Sequence, residues 1–166
     1  MFYSNNTFIT RAQDIINETD KLIVAVSQNK DRGKIESELK FTMILKSTGN
    51  IELYFDDIMK EFANLNSSPI FHRYFHNNFT KAGKNVNPEK INNLLNALNI
   101  PAVAKNANPQ AWTALDSLYN LRNSLAHGDT NIVETYSNIK QYISDSMVFM
   151  QLLIQTLDNV STPQTN

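Results

Sequence analysis

The stretch "PQAWTALDSLYNLRNSLAHGD", residues 109–129, contains the strongest structural signals in the chain. Its proline follows an asparagine, which is the pattern of an N-cap and a first helical residue. Leu115, Leu118 and Leu125 recur at spacings of three and seven residues and therefore share one side of a helix. Gly128 stands where a left-handed C-terminal cap belongs. The stretch predicts an amphipathic helix that ends at a glycine.

The same helical spacing continues in both directions from this stretch. It predicts helices over residues 8–29, 34–65, 88–100, 109–127 and 132–158, and a short aromatic helix over 70–79. No strand alternation, repeat or Gly-rich phosphate loop is present in the sequence. The predicted fold class is all-α: a helical bundle with two long N-terminal helices, a short-helix insertion, and two C-terminal helices joined at Gly128. A single domain over residues 1–158 and a flexible tail over 159–166 are expected.

Small residues interrupt the second of these predicted helices, at "STG", residues 47–49. A glycine inside a helix costs about 0.5–1 kcal/mol relative to alanine. Gly49 therefore indicates either the close approach of another helix or a kink.

Composition limits the class of protein. The 166 residues are 42% hydrophobic and 19% charged, which is typical of one soluble globular domain. The absence of cysteine excludes disulfides and thiolate metal sites. No apolar stretch is long enough to span a bilayer, and "MFYSNNTFIT" lacks the basic and apolar regions of a signal peptide. We therefore expect a cytoplasmic protein that makes no membrane contact.

Charge is distributed unevenly along the chain. The net charge of −1 argues against indiscriminate nucleic-acid binding. Residues 70–113, however, carry five basic side chains against Glu89 alone, namely Arg73, Lys81, Lys84, Lys90 and Lys105. This segment is either a phosphate-facing surface or an ordinary solvated loop and helix face.

Arg122 and His127 are the candidate chemical groups at the end of the 109–127 helix. Asn123 and His127 are four residues apart and share a face, whereas Arg122 lies to one side. The carbonyls at a helix C-terminus favour a charged imidazole and a neighbouring guanidinium opposes it, so His127 is a candidate for proton transfer. The planar fork of arginine suits phosphate oxygens. The alternative is that these residues only terminate the helix and take no part in chemistry.

The segment "LRNSLAHG" resembles the motif of the HEPN superfamily, which has an arginine, a polar residue next to it, and a histidine at the end of a helix. Arg122, Asn123 and His127 occupy those positions one for one. The segments "NVNPEKINNLLNALNI" and "AWTALDSLYNLRN" resemble those that precede the motif in the RiboL-PSP subgroup. The resemblance covers roughly residues 8–157.

The resemblance implies a metal-independent, cofactor-free endoribonuclease that acts as a homodimer, with two motifs meeting across the two-fold interface. The RNA 2′-hydroxyl would attack the adjacent phosphate. His127 would move the proton, Arg122 would stabilise the phosphorane, and Asn123 would orient one of them. A toxin or phage-defence role, restrained by an antitoxin or a nucleotidyltransferase partner, is the first expectation. The alternative is a non-catalytic HEPN module that mediates an interaction or binds a nucleotide beside a second protein.

Related domains often supply a further polar group from the second long helix. Glu52 is the candidate catalytic residue there, because a charge-assisted bond from its carboxylate would fix the Arg122 guanidinium. A solvated carboxylate is the alternative for this position. Asn50, beside Glu52, is a candidate substrate-binding residue.

The basic middle segment supplies the other candidates for RNA binding, which are Arg73, Lys81 and Lys84. His72 and His76 have the spacing of two metal ligands on one helix face, but no third ligand is evident, so no metal site is predicted. The aromatic residues around them suit core packing or stacking on unpaired bases. Trp112 is expected in the core.

Overall fold

The computed structural model describes residues 6–65, 73 and 86–161, and all regular structure within these ranges is helical. The predicted all-α class is therefore confirmed. Five helices are present in the described part of the chain: α1 (Thr7–Val26), α2 (Arg32–Leu65), α3 (Pro88–Ala97), α4 (Pro109–Ala126) and α5 (Tyr136–Ser161). The predicted aromatic helix over 70–79 lies outside the described residues, apart from Arg73.

Asparagine caps and prolines start two of these helices, as the sequence predicts. The side chain of Asn87 accepts a hydrogen bond from the amide of Lys90 at 2.9 Å, and Pro88 follows it. Asn108 accepts from the amide of Ala111 at 2.9 Å at the start of α4. Each side chain satisfies an amide that has no partner within its helix.

Other helix ends differ from the predicted bounds by a few residues. α1 and α3 each end three residues early, α3 because Asn99 adopts a left-handed conformation with φ of 57°. α5 begins at Tyr136 rather than at 132, since the Thr135 hydroxyl accepts from the amide of Asn138 at 3.1 Å and caps the helix there. It continues past the predicted end at 158, to Ser161. The fully buried Leu157 anchors these last turns on the core.

The helices pack as two pairs that α2 connects. α4 packs most extensively against α5 and α1 against α2, while α2 also contacts both α4 and α5. Phe8 and Tyr54 stack between α1 and α2, with ring centroids 5.0 Å apart. Trp112 is half-buried at the edge of the core, where its ring meets Phe149 edge-on at 5.8 Å. α2 is thus the helix through which the N-terminal pair is held against α4.

Candidate functional site

The C-terminal end of α4 is a tight, hydrogen-bonded turn. The amide of Gly128 donates to the carbonyl of Leu125 at 3.0 Å, and the amide of Asp129 donates to Ser124 at 3.0 Å. This pair of bonds is the Schellman motif. Gly128 has a φ of 86°, in the left-handed region that glycine enters without steric cost. The predicted glycine cap is confirmed, and it fixes the backbone that carries His127.

The three residues of the motif lie on this last turn of α4. Arg122 is half-buried, and its Nη1 donates to Oδ1 of Asn123 at 3.4 Å. His127 is the capping residue, and its amide donates to the Asn123 carbonyl at 3.0 Å. The side chain of His127 is exposed. The end of α4 therefore carries a partly desolvated guanidinium and, five residues further on, a solvent-accessible imidazole.

Tyr119 lies one turn before Arg122 and faces α2. Its side chain is completely buried, and its hydroxyl donates to the backbone carbonyl of Thr48 at 3.3 Å. The bond joins α4 to α2 at the level of the motif.

Two charged residues near this hydroxyl act on the pKa of Tyr119. Burial raises the pKa of the Tyr119 phenol above its usual value of 10.0, and the negative charge of Glu52 raises it further. The positive charge of Arg122 lowers the same pKa, and a hydrogen bond with Glu52 raises it. Glu52 of α2 and Arg122 of α4 are therefore both close enough to this buried hydroxyl to act on its ionisation. We call these three residues the Tyr119 cluster.

Sequence reasoning missed Tyr119. It lies on the apolar side of the helix, where an aromatic residue is normally part of the core. Its spacing of three residues from Arg122 was the available signal, because residues at that spacing are neighbours on a helix surface.

Asn50 lies apart from the Tyr119 cluster. The two-residue separation between Asn50 and Glu52 is about 200° of helical rotation, so they face different helices. Asn50 is buried towards α1, and its Nδ2 donates to the carbonyl of Phe8 at 2.8 Å. The structure gives this amide a packing contact between α1 and α2 and does not bring it near Arg122.

Of the predicted binding residues in the basic middle segment, the structure describes only Arg73. Arg73 is exposed, and Lys81 and Lys84 lie outside the described residues, as do His72 and His76. Within 6–65, 73 and 86–161, no group of three or more His, Asp or Glu side chains could hold a metal ion. Over the same ranges, none of the helices combines the length and apolarity needed to cross a membrane.

Comparison with known proteins is consistent with this architecture. The model of the RiboL-PSP-HEPN family matches residues 6–159, which is nearly the whole chain. No curated protein and no solved structure matches it significantly.

An all-helical bundle with Arg122, Asn123 and His127 at the end of its fourth described helix defines a HEPN-type domain. The chain belongs to the RiboL-PSP-HEPN family. Membership supports a ribonuclease-like domain or a HEPN module in general, which leaves the chemistry of the site to be argued from its residues.

Proposed function

We propose that the protein is a metal-independent endoribonuclease of the toxin or phage-defence type. The observation that carries the proposal is the setting of Arg122. Its guanidinium is half-buried, contacts Asn123, and is close enough to the buried Tyr119 hydroxyl to lower its pKa, while the exposed His127 ends the same helix. A partly desolvated and oriented cation stabilises a developing phosphorane more strongly than a mobile surface cation does.

The proposed reaction is a transesterification within the RNA. The 2′-oxygen loses its proton and attacks the adjacent phosphorus, and the bond from phosphorus to the 5′-oxygen breaks. The products are a 2′,3′-cyclic phosphate and a 5′-hydroxyl. His127 moves the proton, Arg122 holds the charge on the phosphoryl oxygens, and Asn123 orients Arg122 through its Oδ1. Glu52 keeps the guanidinium in place.

A homodimer suits this chemistry because one proton must leave the nucleophile and another must reach the leaving group. Two copies of His127 beside a two-fold axis can divide these tasks. Arg73, Lys81 and Lys84 are proposed to contact the RNA backbone. We also propose a cytoplasmic location, and restraint by an antitoxin or by a nucleotidyltransferase partner.

One specific observation favours a second candidate, the non-catalytic HEPN module. The backbone amides of His127 and Gly128 complete the cap of α4, so this segment already has a structural task. If that task is its whole role, the domain binds a partner or a nucleotide without cleaving RNA.

Cleavage of an end-labelled single-stranded RNA distinguishes the two candidates. We expect cleavage in excess EDTA, cyclic-phosphate product ends, and no reaction on an all-deoxy strand of the same sequence, which lacks the nucleophile. Arg32→Ala is the matched control, because Arg32 is an exposed arginine at the start of α2, paired with Glu36 at 2.7 Å. Intact RNA with the native protein, or equal cleavage by Arg122→Ala and the native protein, would exclude the enzyme.

A further inference from the structure

The outer face of α2 carries an apolar stripe centred on a glycine. Leu45 and Leu53 are 51% and 56% exposed, and Gly49 lies midway between them at four residues from each. The three positions fall on one side of the helix, directed away from the core. Large apolar side chains so exposed on one helix face indicate a surface that another molecule covers.

Within 6–65, 73 and 86–161, no contact accounts for the glycine at position 49. A Cβ atom at this position would meet nothing within 4 Å. Glycine nevertheless destabilises a helix interior by roughly 0.5–1 kcal/mol relative to alanine. Of the two explanations that the sequence offers for this glycine, a neighbouring helix or a kink, a helix that approaches from a second molecule is the one that we develop.

The sequence of the exposed face is self-complementary about Gly49. Four residues before and after it are Leu45 and Leu53, and eleven residues before and after it are the exposed Glu38 and Lys60. Consider an antiparallel pair of α2 helices related by a two-fold axis at Gly49. Each residue before Gly49 in one copy then meets the residue that follows Gly49 by the same number of positions in the other copy. Leucine then packs on leucine, and glutamate faces lysine. A parallel pair would instead place like charges together.

We infer that the partner of this surface is a second copy of the chain, packed antiparallel through α2 with Gly49 at the two-fold axis. We call the surface formed by Glu38, Leu45, Gly49, Leu53 and Lys60 the α2 seam. It spans about 33 Å along the helix. Two such helices pack with axes about 8–10 Å apart, and glycine at the crossing permits the lower end of that range.

A groove between α1 and α2 borders the seam and gives the second copy further contacts. Arg11, Asp14 and Glu18 line it from α1, so both charge signs are present, as a self-associating surface requires. Asn50 forms part of its wall.

The seam places the two copies of Glu52 close to the two-fold axis. Glu52 follows Gly49 by three residues, about 4.5 Å along the helix. The two-fold symmetry places both copies of Glu52 on the same side of the plane that contains the two helix axes. The two copies are about 9 Å apart when measured along the helices. Along the helix, the Glu52 of each Tyr119 cluster therefore lies within one turn of the axis. This link to catalysis rests on the proposed function, whereas the seam itself rests on the exposed residues of α2.

Cysteine crosslinking tests the register directly, because the chain has no cysteine of its own. Gly49 is left unchanged, because a side chain there would hold the two helices apart. Under mild oxidation, Leu45→Cys alone should not form a disulfide-linked dimer, since its two copies lie about 12 Å apart along the axis, beyond the Cα separation of about 7 Å that a disulfide allows. A mixture of Leu45→Cys and Leu53→Cys chains should crosslink. Crosslinking of Leu45→Cys alone, or none in the mixture, would overturn the antiparallel register.

Sedimentation measures the association without modifying a cysteine. The native protein should be a dimer at micromolar concentration, and Leu53→Glu should raise the dimer dissociation constant at least about tenfold. Leu22→Glu is the matched control, since Leu22 is a 50% exposed leucine of α1 outside the seam. Glu38→Lys should weaken the dimer, and adding Lys60→Glu should restore it.

RNA cleavage measured on the same samples separates this inference from the proposed function. A crosslinked dimer that leaves RNA intact supports the seam and removes the enzyme. A native protein that stays monomeric at every concentration overturns the seam, and cleavage by that monomer would still support the enzyme. In that case the exposed face of α2 belongs to a partner of different sequence.

Discussion

The hydroxyl of Tyr119 reaches from α4 to the backbone of Thr48 on α2, over 3.3 Å, in the interior of the protein. Glu52 lies one turn further along α2, and Arg122 one turn further along α4, so the bond fixes two helices at the level of both charged groups. Because this bond holds α2 against α4, it also limits how closely the negative Glu52 and the positive Arg122 can approach each other. Tyr119 is therefore expected to position Arg122 without touching RNA.

Replacing this hydroxyl separates its structural effect from its effect on the site. Tyr119→Phe should lower the free energy of unfolding by about 1 kcal/mol, because the buried hydroxyl and its hydrogen bonding to Thr48 and Glu52 are lost. It should also lower kcat for RNA cleavage, by less than Arg122→Ala does, since the guanidinium is displaced and not removed. Urea denaturation and steady-state kinetics measure the two effects. Tyr142→Phe, at a half-buried tyrosine of α5, is the control. An unchanged kcat with the expected stability loss would make Tyr119 purely structural.

Alkaline pH provides an independent test of the buried phenols. Burial raises the pKa of Tyr119, Tyr54 and Tyr136 above the unfolded value near 10.0. The folded protein holds these protons more tightly than the unfolded chain, so the contribution to stability is complete below about pH 10 and is lost as the pH rises towards the folded pKa. The free energy of unfolding should therefore fall above about pH 10, and less steeply in Tyr119→Phe. Equal slopes for both proteins would show that Tyr119 ionises normally in the folded state.

Arg122 and His127 should behave as one catalytic unit. We expect Arg122→Ala or His127→Ala to reduce the rate of RNA cleavage by about 10²–10³. The double variant should be scarcely slower than either single one, because each change alone disables the same step. Asn123→Ala should have a milder effect, since Asn123 contacts Arg122 and not the reacting phosphate in this proposal.

Thermal melts of the same variants test the competing structural role. The side chain of His127 is exposed and its capping contacts are made by the backbone, so His127→Ala should keep the native melting temperature within a few degrees. A clearly lower melting temperature together with cleavage at the native rate would mean that the residue only terminates the helix.

Local signals in the sequence were sufficient for most of the fold. Asn87, Asn108 and Gly128 each act on their own helix end, so their roles follow from neighbours in the chain. The relation of Asn50 to Glu52 is different, because helical periodicity gives the angle between them but not which helix lies on either side. Only the packing of α1 and α4 on α2 shows that Asn50 meets Phe8 while Glu52 meets Tyr119.

Gly49→Ala should have opposite effects on the folded chain and on its association. Alanine favours the helix by about 0.5–1 kcal/mol, and its methyl group has open space within the chain, so the monomer should become more stable. In the α2 seam the same methyl group separates the two helices, so the dimer should weaken. Gly33→Ala is the matched control, because Gly33 is also a helical glycine of α2 with open space, but it lies outside the seam. Urea denaturation at low protein concentration should show stabilisation in both variants, since the native dimer gains stability only as concentration rises. Sedimentation should show a weaker dimer in Gly49→Ala alone. A Gly49→Ala protein that dimerises as strongly as Gly33→Ala would mean that no second helix approaches α2 at this glycine.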